Sequence, residues 1–403
     1  MNGYSSAAGA PGAEILTFGC RLNAFESEII RGHTTALANT VVIHTCTVTA
    51  EAERTARAAI RRVARARPGA DIVVTGCAAE LDPAAWAALP GVTRVLGNAA
   101  KLRPESWGAT GPAPPIKRIE GRARAYVQVQ HGCDHRCTFC IIPFARGPSR
   151  SVPLGELVTQ IRASVAAGYN EVVLTGVDIA SYGPDLPGRP SLGETARRLL
   201  ALVPGLPRLR LSSLDPAAID DGLWRLLADE PRLMPHLHLS VQAGSDMVLK
   251  RMRRRHGRAE ALAVIARARQ LRPGIGIGAD LIAGFPTETE ALFHETLDFV
   301  NEAALPYLHC FPYSERPGTP AARMPSVPVP LRRARAAQLR SAAAAHAAAF
   351  HRAQLGHPVR VVVERGGTGH TEAFSPIRLT APHRVGALIT VRVTGADAAG
   401  LVA

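Results

Sequence analysis

The sequence contains no run of apolar residues that approaches the ~20 needed to span a bilayer. Its first residues, MNGYSSAAGAPG, have neither the basic stretch nor the apolar core of a secretory signal. No repeat of the solenoid type is present. We therefore expect a cytoplasmic protein with no membrane contact, which acts as a monomer.

Lysine is scarce and occurs only at Lys101, Lys117 and Lys250. Nearly all of the positive charge is therefore arginine, and the formal net charge is +14 at pH 7. Such an excess favours a polyanionic partner such as nucleic acid. It is also typical of a base composition that enriches arginine and alanine, so charge alone leaves both interpretations open.

Strand and helix patterns predict an α/β fold with three regions. The first, 1–102, has apolar runs typical of buried parallel strands and a helical segment, so we expect an open parallel α/β sheet. A Pro- and Gly-rich segment at 103–121 predicts a linker. The predicted strands of the first region are 14–18, 41–45 and 71–75, and the predicted helix is 50–67.

The second region, 122–354, alternates six strand-like runs with helical stretches and ends in an Ala/Arg-rich helix. This order predicts a parallel sheet with right-handed crossovers, and six units favour a partial (β/α)6 barrel. The last region, 356–403, alternates apolar and polar residues and predicts a small antiparallel β-barrel. The six runs are 124–130, 171–175, 208–213, 236–242, 276–283 and 307–313.

Three cysteines follow the first predicted barrel strand in the segment HGCDHRCTFC, at Cys133, Cys137 and Cys140. Zinc sites usually use pairs of cysteines at C-x2-C spacing and take four ligands. Iron–sulfur cubanes usually take four thiolates. Three thiolates leave one iron free to chelate S-adenosylmethionine (SAM), which we favour over a zinc knuckle or a chance cluster. We expect Phe139 to offer an aromatic face to the adenine, the alternative being that it packs in the loop.

Three further cysteines, Cys20, Cys46 and Cys77, each come just after a predicted strand of the first region. Ligands of an open parallel sheet gather at the carboxyl ends of its strands, so these thiols are expected to converge on a second cluster. The alternative is that each is a small buried residue. Cys310 lies inside the sixth barrel strand without a cysteine nearby, and we interpret it as core packing.

Polar and small residues stand where the remaining barrel strands are predicted to end, which is where barrel enzymes carry their active sites. We expect them to contact the carboxylate, ribose and adenine of SAM, although Ser and Gly at such positions also simply form turns. These residues are Thr175, Gly176, Ser212, Ser213, Ser240, Gln242 and Asp280.

Over essentially its whole length the sequence resembles the methylthiotransferases of the radical SAM superfamily. The first region carries TFGCRLNAFESE, HTCTVTAEAERTAR and TGCAAE, and the last region resembles the TRAM domain, a small RNA-binding barrel. Between Glu28 and Val41 the chain is shorter than is usual in the family, so part of a helix or an edge strand is expected to be missing. The barrel carries VQHGCDHRCTFCIIPFARGPSRS, LTGVDIASYG, LSSLDP, HLHLSVQAGSDMVLKRMRR, AGFPTETE and FPYSERPGTPAARM.

The resemblance implies two 4Fe–4S clusters. Cys133, Cys137 and Cys140 would hold the cluster that binds SAM. Cys20, Cys46 and Cys77 would hold an auxiliary cluster whose open iron carries the sulfur to be inserted. One SAM would methylate that sulfur, and a second would yield the deoxyadenosyl radical that takes hydrogen from the substrate. An electron-donor protein is implied as a partner.

Within the family, GCRLN and TCTVT resemble the branch that acts on N6-threonylcarbamoyladenosine at position 37, in the anticodon loop of tRNA. Two other branches stay open as alternatives, one acting on N6-isopentenyladenosine of tRNA and one on an aspartate of a ribosomal protein. A non-catalytic zinc-dependent RNA-binding protein is a third alternative, which iron and sulfide analysis would separate from the others.

Overall fold

The computed structural model describes residues 12–111, 113–116, 119 and 121–403. Positions 112, 117, 118 and 120 of the predicted linker lie outside the described residues, as do 1–11. Within the described residues no helix is both long and apolar enough to cross a membrane. The chain forms two compact units. The first comprises the described residues up to Ile116, His131–His135 and Cys140–Ser149, and the second comprises the described part of 117–130, Arg136–Phe139 and Arg150–Ala403.

The first unit contains a four-stranded parallel sheet in the order β1-β2-β3-β4. Its strands are β1 (Glu14–Thr17), β2 (Thr40–Thr45), β3 (Asp71–Gly76) and β4 (Val92–Leu96). Its helices are α1 (Arg21–His33), α2 (Ala50–Ala66), α3 (Cys77–Leu81), α4 (Pro83–Ala87) and α5 (Ile142–Arg146).

Helix α2 shows how this sequence covers the sheet. Thr49 caps its start by accepting a hydrogen bond from the backbone N–H of Ala52 (3.2 Å), and a Pro-Gly pair follows its end. Its buried residues, Ala56, Ala59, Ile60 and Val63, recur at helical spacing and pack against the sheet.

The opposite face of the sheet packs against a second apolar cluster. Ile30 of α1 and the indole of Trp107 belong to it, together with Val42 and Val73 of the strands. Trp107 lies within the predicted linker, yet its Nε1–H donates to the carbonyl of Lys101 (2.8 Å) and its side chain is buried. Both elements that flank the shortened segment, α1 and β2, are formed.

The second unit contains six parallel strands, which confirm the parallel α/β part of the prediction. They form two sheets, β5-β8-β9 and β10-β11-β12, and parallel bridges join Leu214 to Leu239 and Leu209 to Leu233. The strands are β5 (Ala125–Gln128), β8 (Glu171–Thr175), β9 (Arg208–Leu211), β10 (His236–Gln242), β11 (Gly276–Ala283) and β12 (Tyr307–Pro312), with a short pair β6 (Gln130–His131) and β7 (Arg150–Ser151) after the first.

Helices pack against these strands, and the buried apolar residues of all of them except α9 form one core with the strands. The Ala/Arg-rich helix that the sequence predicts at about 331–354 is α12, at Val329–Arg352. The helices are α6 (Leu154–Ala166), α7 (Leu192–Leu202), α8 (Asp221–Asp229), α9 (Asp246–Met252), α10 (Arg258–Leu271), α11 (Glu290–Glu302) and α12 (Val329–Arg352).

The last region forms a six-stranded sheet in the order β16-β13-β14-β15-β18-β17. The expectation that it is purely antiparallel is wrong, because β15 and β18 pair in parallel, with Ile377 opposite Leu401. The final strand follows a turn in which the N–H of Asp397 donates to the carbonyl of Gly400 (2.9 Å). After this turn the strand runs parallel to β15. The strands are β13 (Pro358–Glu364), β14 (Thr368–His370), β15 (Pro376–Arg378), β16 (Leu388–Arg392), β17 (Gly395–Ala396) and β18 (Leu401–Val402).

Candidate functional site

The three cysteines of the first unit follow three neighbouring parallel strands. Cys20 comes three residues after β1, Cys46 directly follows β2, and Cys77 directly follows β3. Because the carboxyl ends of parallel strands meet at one edge of the sheet, the three thiols share that edge. Cys46 and Cys77 are buried, while Cys20 is exposed. The edge therefore has the three-thiolate donor set that an iron–sulfur cluster with one open iron requires.

Two glycines make room for this arrangement. Gly19 and Gly76 both have left-handed backbone conformations, with φ of 96° and 101°. A Cβ at Gly19 would lie 2.3 Å from the Cβ of Cys46, and one at Gly76 would lie 2.3 Å from the carbonyl oxygen of Thr45. The Gly-Cys pairs in the sequence thus allow two strand ends to approach closely.

The Cys46 thiol shows how the three cysteines affect one another. Burial, together with the nearby Cys20 and Cys77, raises the pKa of Cys46 to about 12. The backbone N–H of Val48, which donates to the Cys46 sulfur (3.4 Å), acts in the opposite direction. The free thiol is therefore protonated at neutral pH, and a bound metal must displace its proton.

A buried charged cluster, formed by Glu26, Lys101 and Arg146, lies beside these thiols. Lys101 Nζ donates to Glu26 Oε2 (2.7 Å), and Arg146 Nη1 donates to Glu26 Oε1 (2.8 Å). The side chains of Glu26 and Lys101 are 0% exposed and that of Arg146 is 2% exposed. Arg146 Nε donates to the sulfur of Cys77 (3.1 Å), which connects the charged cluster to the cysteines.

The ionisation of the charged cluster follows from its contacts. Burial alone raises the pKa of Glu26, but Lys101 and Arg146 outweigh it and hold that pKa well below its usual range. Burial lowers the pKa of Lys101, and the Glu26 carboxylate opposes this effect. Burial also lowers the pKa of Arg146, but the Glu26 carboxylate raises it by more, so that this pKa lies above its usual value. Glu26 and Arg146 are consequently charged at neutral pH.

The Cys133–Cys140 loop is fixed by contacts on its two sides, and the division into two units runs through it. In the first unit, the N–H of Cys133 donates to the carbonyl of Gly147 (3.1 Å). In the second, the Thr138 hydroxyl donates to the carbonyl of Arg251 (2.8 Å), and Arg254 Nη1 donates to the Cys137 sulfur (3.5 Å). Arg254 therefore offers a positive charge to the sulfur of Cys137.

Phe139 is half-buried and packs against the apolar cluster that contains Val248, Met252 and Phe285. This packing corresponds to the second of the two roles considered for it. Its role as a face for adenine stays a prediction.

Three of the predicted SAM contacts lie at strand ends. Thr175 is the last residue of β8 and Gly176 follows it, while Ser212 follows β9. The turn after β8 is closed by Gln130, whose Oε1 accepts from the N–H groups of Val177 (3.0 Å) and Asp178 (2.8 Å). These positions are compatible with a site at the carboxyl ends of the strands.

Two other predicted contacts lie inside their strands, β10 and β11, whose bounds are the ones predicted from the sequence. Ser240 is two residues before the end of β10, and its carbonyl accepts a hydrogen bond from Arg254 (2.6 Å). Gln242 ends β10 in a left-handed conformation, with φ of 78°. Asp280 lies three residues before the end of β11.

Comparison with known proteins decides the family. Residues 127–300 match the radical SAM superfamily, and residues 13–97 match the uncharacterized protein family UPF0004. The chain is 45% identical, over 95% of both chains, to the threonylcarbamoyladenosine tRNA methylthiotransferase MtaB of Rickettsia prowazekii (strain Madrid E). The chain belongs to the radical SAM methylthiotransferase family.

Two further comparisons place this methylthiotransferase more broadly. It is 34% identical to the tRNA-2-methylthio-N(6)-dimethylallyladenosine synthase of Maricaulis maris (strain MCS10), over 88% of this chain and 86% of that one. A solved structure, the radical SAM methyltransferase TsrM of Kitasatospora setae with cobalamin and a 4Fe–4S cluster bound, matches with a TM-score of 0.54 at 16% identity. That match covers 70% of this chain and 65% of TsrM, and it shows similarity of fold alone.

The methylthiotransferase barrel contains one polar cluster that the sequence did not reveal. Asp280 Oδ1 accepts from His238 Nε2 (2.9 Å) and faces His309 Nδ1 (3.3 Å), so the three side chains join neighbouring strands β10, β11 and β12. Burial raises the pKa of Asp280, but the two histidines outweigh it and hold the pKa well below its usual range. Among the described residues, no other group of three His, Cys, Asp or Glu has its ligand atoms all within 4.8 Å.

The charged cluster of the first unit was also missed by sequence reasoning. Glu26 and Arg146 are 120 positions apart, so no local pattern connects them. One signal was present, because Lys101 is one of only three lysines in a chain that otherwise uses arginine.

Proposed function

We propose that the protein inserts a methylthio group at C2 of N6-threonylcarbamoyladenosine at position 37 of tRNA. The observation that carries the proposal is the second set of three cysteines, Cys20, Cys46 and Cys77, at one edge of a parallel sheet beside the buried charged cluster. SAM cleavage alone needs a single cluster, whereas sulfur insertion needs a second place where sulfur is held. Two three-thiolate sets in one chain therefore support a sulfur-inserting enzyme.

The choice of nucleoside is supported by the relatives. The Rickettsia protein, whose name specifies threonylcarbamoyladenosine, is 45% identical to this chain, and the Maricaulis protein, whose name specifies dimethylallyladenosine, is 34% identical. The GCRLN and TCTVT motifs favour the same branch. Adenine C2–H does not react by ordinary acid–base chemistry, which explains the need for a radical route.

When bound, the cluster at Cys133, Cys137 and Cys140 would supply the electron that cleaves SAM, and the one at Cys20, Cys46 and Cys77 would carry the sulfur. The protein binds, orients and shields. Thr138 fixes the loop of the first cysteine set through its hydrogen bonds to 251–252. An electron-donor protein, a monomeric state and a cytoplasmic location complete the proposal.

We also propose that SAM contacts the carboxyl ends of the barrel strands. Phe139, which packs beside this edge, would face the adenine, and polar groups would take the ribose and methionine parts. Asp280, ionised at neutral pH, is suited to accept hydrogen bonds from ribose hydroxyls. The remaining proposed contacts are Thr175, Gly176, Ser212, Ser240 and Gln242.

The last region would bind the tRNA as a TRAM-like module. Its support is electrostatic, since every arginine of that region is exposed and exposed arginines neutralise phosphates. Binding should therefore weaken steeply as salt concentration rises. These arginines are Arg360, Arg365, Arg378, Arg384 and Arg392.

The test is a product assay on anaerobically reconstituted protein with SAM, a reductant and three tRNA substrates. One tRNA carries threonylcarbamoyladenosine, one carries isopentenyladenosine and one is unmodified, and mass spectrometry of digested nucleosides detects the methylthio product. We expect about eight irons per chain, corresponding to two cubanes, and product from the first tRNA only.

Substitution of single cysteines provides the controls. Cys77→Ala and Cys137→Ala should each abolish the methylthio product, and the Cys310→Ala variant should retain it. Product from the isopentenyl substrate alone would assign the protein to the other tRNA branch. Full activity of the Cys137→Ala variant would contradict the radical mechanism, and zinc without sulfide would favour an RNA-binding protein without catalysis.

A further inference from the structure

The charged cluster of Glu26, Lys101 and Arg146 holds a carboxylate, an amine and a guanidinium in an interior that excludes water. Removing a charge from water costs several kcal/mol unless neighbouring groups compensate it. The guanidinium of Arg146 lies next to Cys77, with its Nε 3.1 Å from the sulfur. A positive charge at this place suits a group that is itself anionic, as a thiolate-bound iron–sulfur cluster is.

The guanidinium of Arg146 is held in one orientation. Glu26 accepts from both of its terminal nitrogens, at 2.8 Å and 3.1 Å, and Asn23 Oδ1 accepts from Nη2 at 2.7 Å. With these contacts fixed, its remaining nitrogen, Nε, points its hydrogen at the sulfur of Cys77 (3.1 Å). The planar, forked shape of arginine makes this combination possible, and a lysine ammonium at the same place cannot reproduce it.

Glu26 is fixed in turn from its other side. Lys101 Nζ contacts Glu26 Oε2 (2.7 Å), Asn98 Oδ1 (2.6 Å) and His44 Nε2 (3.0 Å). His44 Nδ1 is hydrogen-bonded to the hydroxyl of Ser27 (2.8 Å). Every member of this network has partners, as a buried polar network requires if it is to be rigid. The direction of the Arg146 Nε–H bond is therefore set by the fold.

We propose that Arg146 is a positioning residue of the auxiliary cluster, which donates an N–H···S hydrogen bond to the Cys77 thiolate and supplies the positive charge that stabilises the reduced cluster. The inference rests on the proposed function only in requiring that Cys20, Cys46 and Cys77 hold a cluster. Hydrogen bonds to cluster sulfur and nearby positive charge are general determinants of cluster potential.

The position of Arg146 in the chain adds to its significance. Arg146 lies six residues after Cys140, in the segment that also carries a ligand of the other cluster. Its neighbour Gly147 accepts the hydrogen bond of the Cys133 N–H (3.1 Å). A short segment thus contributes to both cysteine sets, so the second set depends on residues from the motif of the first.

The test isolates the auxiliary cluster in the full chain. The parent carries Cys133→Ala, Cys137→Ala and Cys140→Ala, which leaves one cluster and about four irons. Arg146→Met and Arg146→Lys are added to it separately, and Arg62→Met, at an exposed position of α2, is the matched control. Iron and sulfide content, the EPR spectrum of the reduced cluster and its midpoint potential are measured.

We expect Arg146→Met to shift the midpoint potential to more negative values and to change the EPR spectrum, because a hydrogen bond and a charge are lost. Arg146→Lys should shift it less, since the charge is kept, and the Arg62→Met variant should match the parent. Loss of iron from Arg146→Met with an unchanged circular dichroism spectrum would equally support a role in holding the cluster. Identical potentials and spectra in Arg146→Met and the parent would overturn it.

Arg146→Met also leaves the Glu26 carboxylate with less compensation, which can prevent folding. If so, the comparison is made between Glu26→Gln and the double variant Glu26→Gln/Arg146→Met, in which no carboxylate is stranded. A more negative potential in the double variant supports the proposal, and equal potentials overturn it. A parent without iron would refute the auxiliary cluster, whereas iron with equal potentials refutes only the role of Arg146.

Discussion

Replacement of Glu171 by glutamine is expected to destabilise the second unit severely. Glu171 begins β8, and its side chain is 0% exposed. Its carboxylate contacts Arg124 Nε (3.0 Å), Arg208 Nη1 (3.3 Å) and Arg210 Nε (2.7 Å). Both arginines also donate to backbone carbonyls of the C-terminal sheet region. Arg208 donates to the carbonyl of Arg360 (2.7 Å), and Arg210 donates to the carbonyl of Glu372 (3.1 Å). The carboxylate therefore joins the amino ends of three barrel strands to that region.

The magnitude follows from two independent arguments. Removing one partner of a buried ion pair typically costs about 3–5 kcal/mol, since the other charge stays buried without compensation. Burial raises the pKa of Glu171, but Arg210, Arg124 and Arg208 outweigh it and lower the pKa from 4.5 to about 2. At about 1.4 kcal/mol per unit, this shift corresponds to roughly 3 kcal/mol of stabilisation by the ionised form.

Calorimetry of the Glu171→Gln variant tests the reasoning, with the exposed Glu295→Gln as matched control. At roughly 2–4 °C per kcal/mol for units of this size, we expect the Tm of the second unit to fall by about 6–12 °C. Because the pKa of Glu171 is lowered on folding, its contribution is present above pH 4.5 and is lost as the pH falls towards 2. A Tm fall below about 2 °C at pH 7, or a difference that does not narrow on acidification, would refute the argument.

Three further predictions concern single side chains. Cys310→Ala should leave iron content and product unchanged in the assays above, since burial raises the pKa of that thiol to about 12 and it packs in the barrel core. Trp86→Ala should cost about 3–5 kcal/mol and lower the Tm of the first unit, because its side chain is 1% exposed in the core of the sheet. Asp280→Asn should weaken SAM binding about tenfold in calorimetric titration, because it removes the charged acceptor that we propose for the ribose hydroxyls and that His238 and His309 contact.

Two of the strands that the sequence predicted in the first unit are buried on both faces. The runs at 41–45 and 71–75 correspond to β2 and β3, whose residues are almost all buried. Such strands show as continuous apolar runs, which are visible without knowledge of their neighbours. Strand β4 was missed because it is an edge strand with exposed Thr93 and Arg94, so its sequence has no such run.

The C-terminal region shows a different limit. Its alternation of apolar and polar residues correctly predicted strands such as β13, but the direction of pairing depends on the turns between them. The final strand, β18, has two residues and pairs with β15 in parallel. Two residues carry no periodicity, so the mixed sheet was not predictable.

In the candidate site, the sequence predicted both sets of three cysteines, one from its close spacing and the other from the position of each cysteine after a predicted strand. The residues around the ligands escaped detection. Glu26, Lys101 and Arg146 meet only through the fold, and each looks like an ordinary surface residue in its own segment. A buried charged residue can be recognised only when its three-dimensional neighbours are known, because the residues that compensate its charge lie far from it in the sequence.

The discontinuous make-up of the first unit has a practical consequence for protein engineering. A fragment that ends at residue 116 retains the whole parallel sheet but omits the segments His131–His135 and Cys140–Ser149. It would lose the guanidinium that neutralises Glu26 and the carbonyl of Ala145, to which Asn98 Nδ2 donates (2.6 Å). Chimeras between members of this family should therefore exchange residues 140–149 together with the N-terminal segment up to residue 116, because those ten residues belong to the same compact unit as the N-terminal sheet.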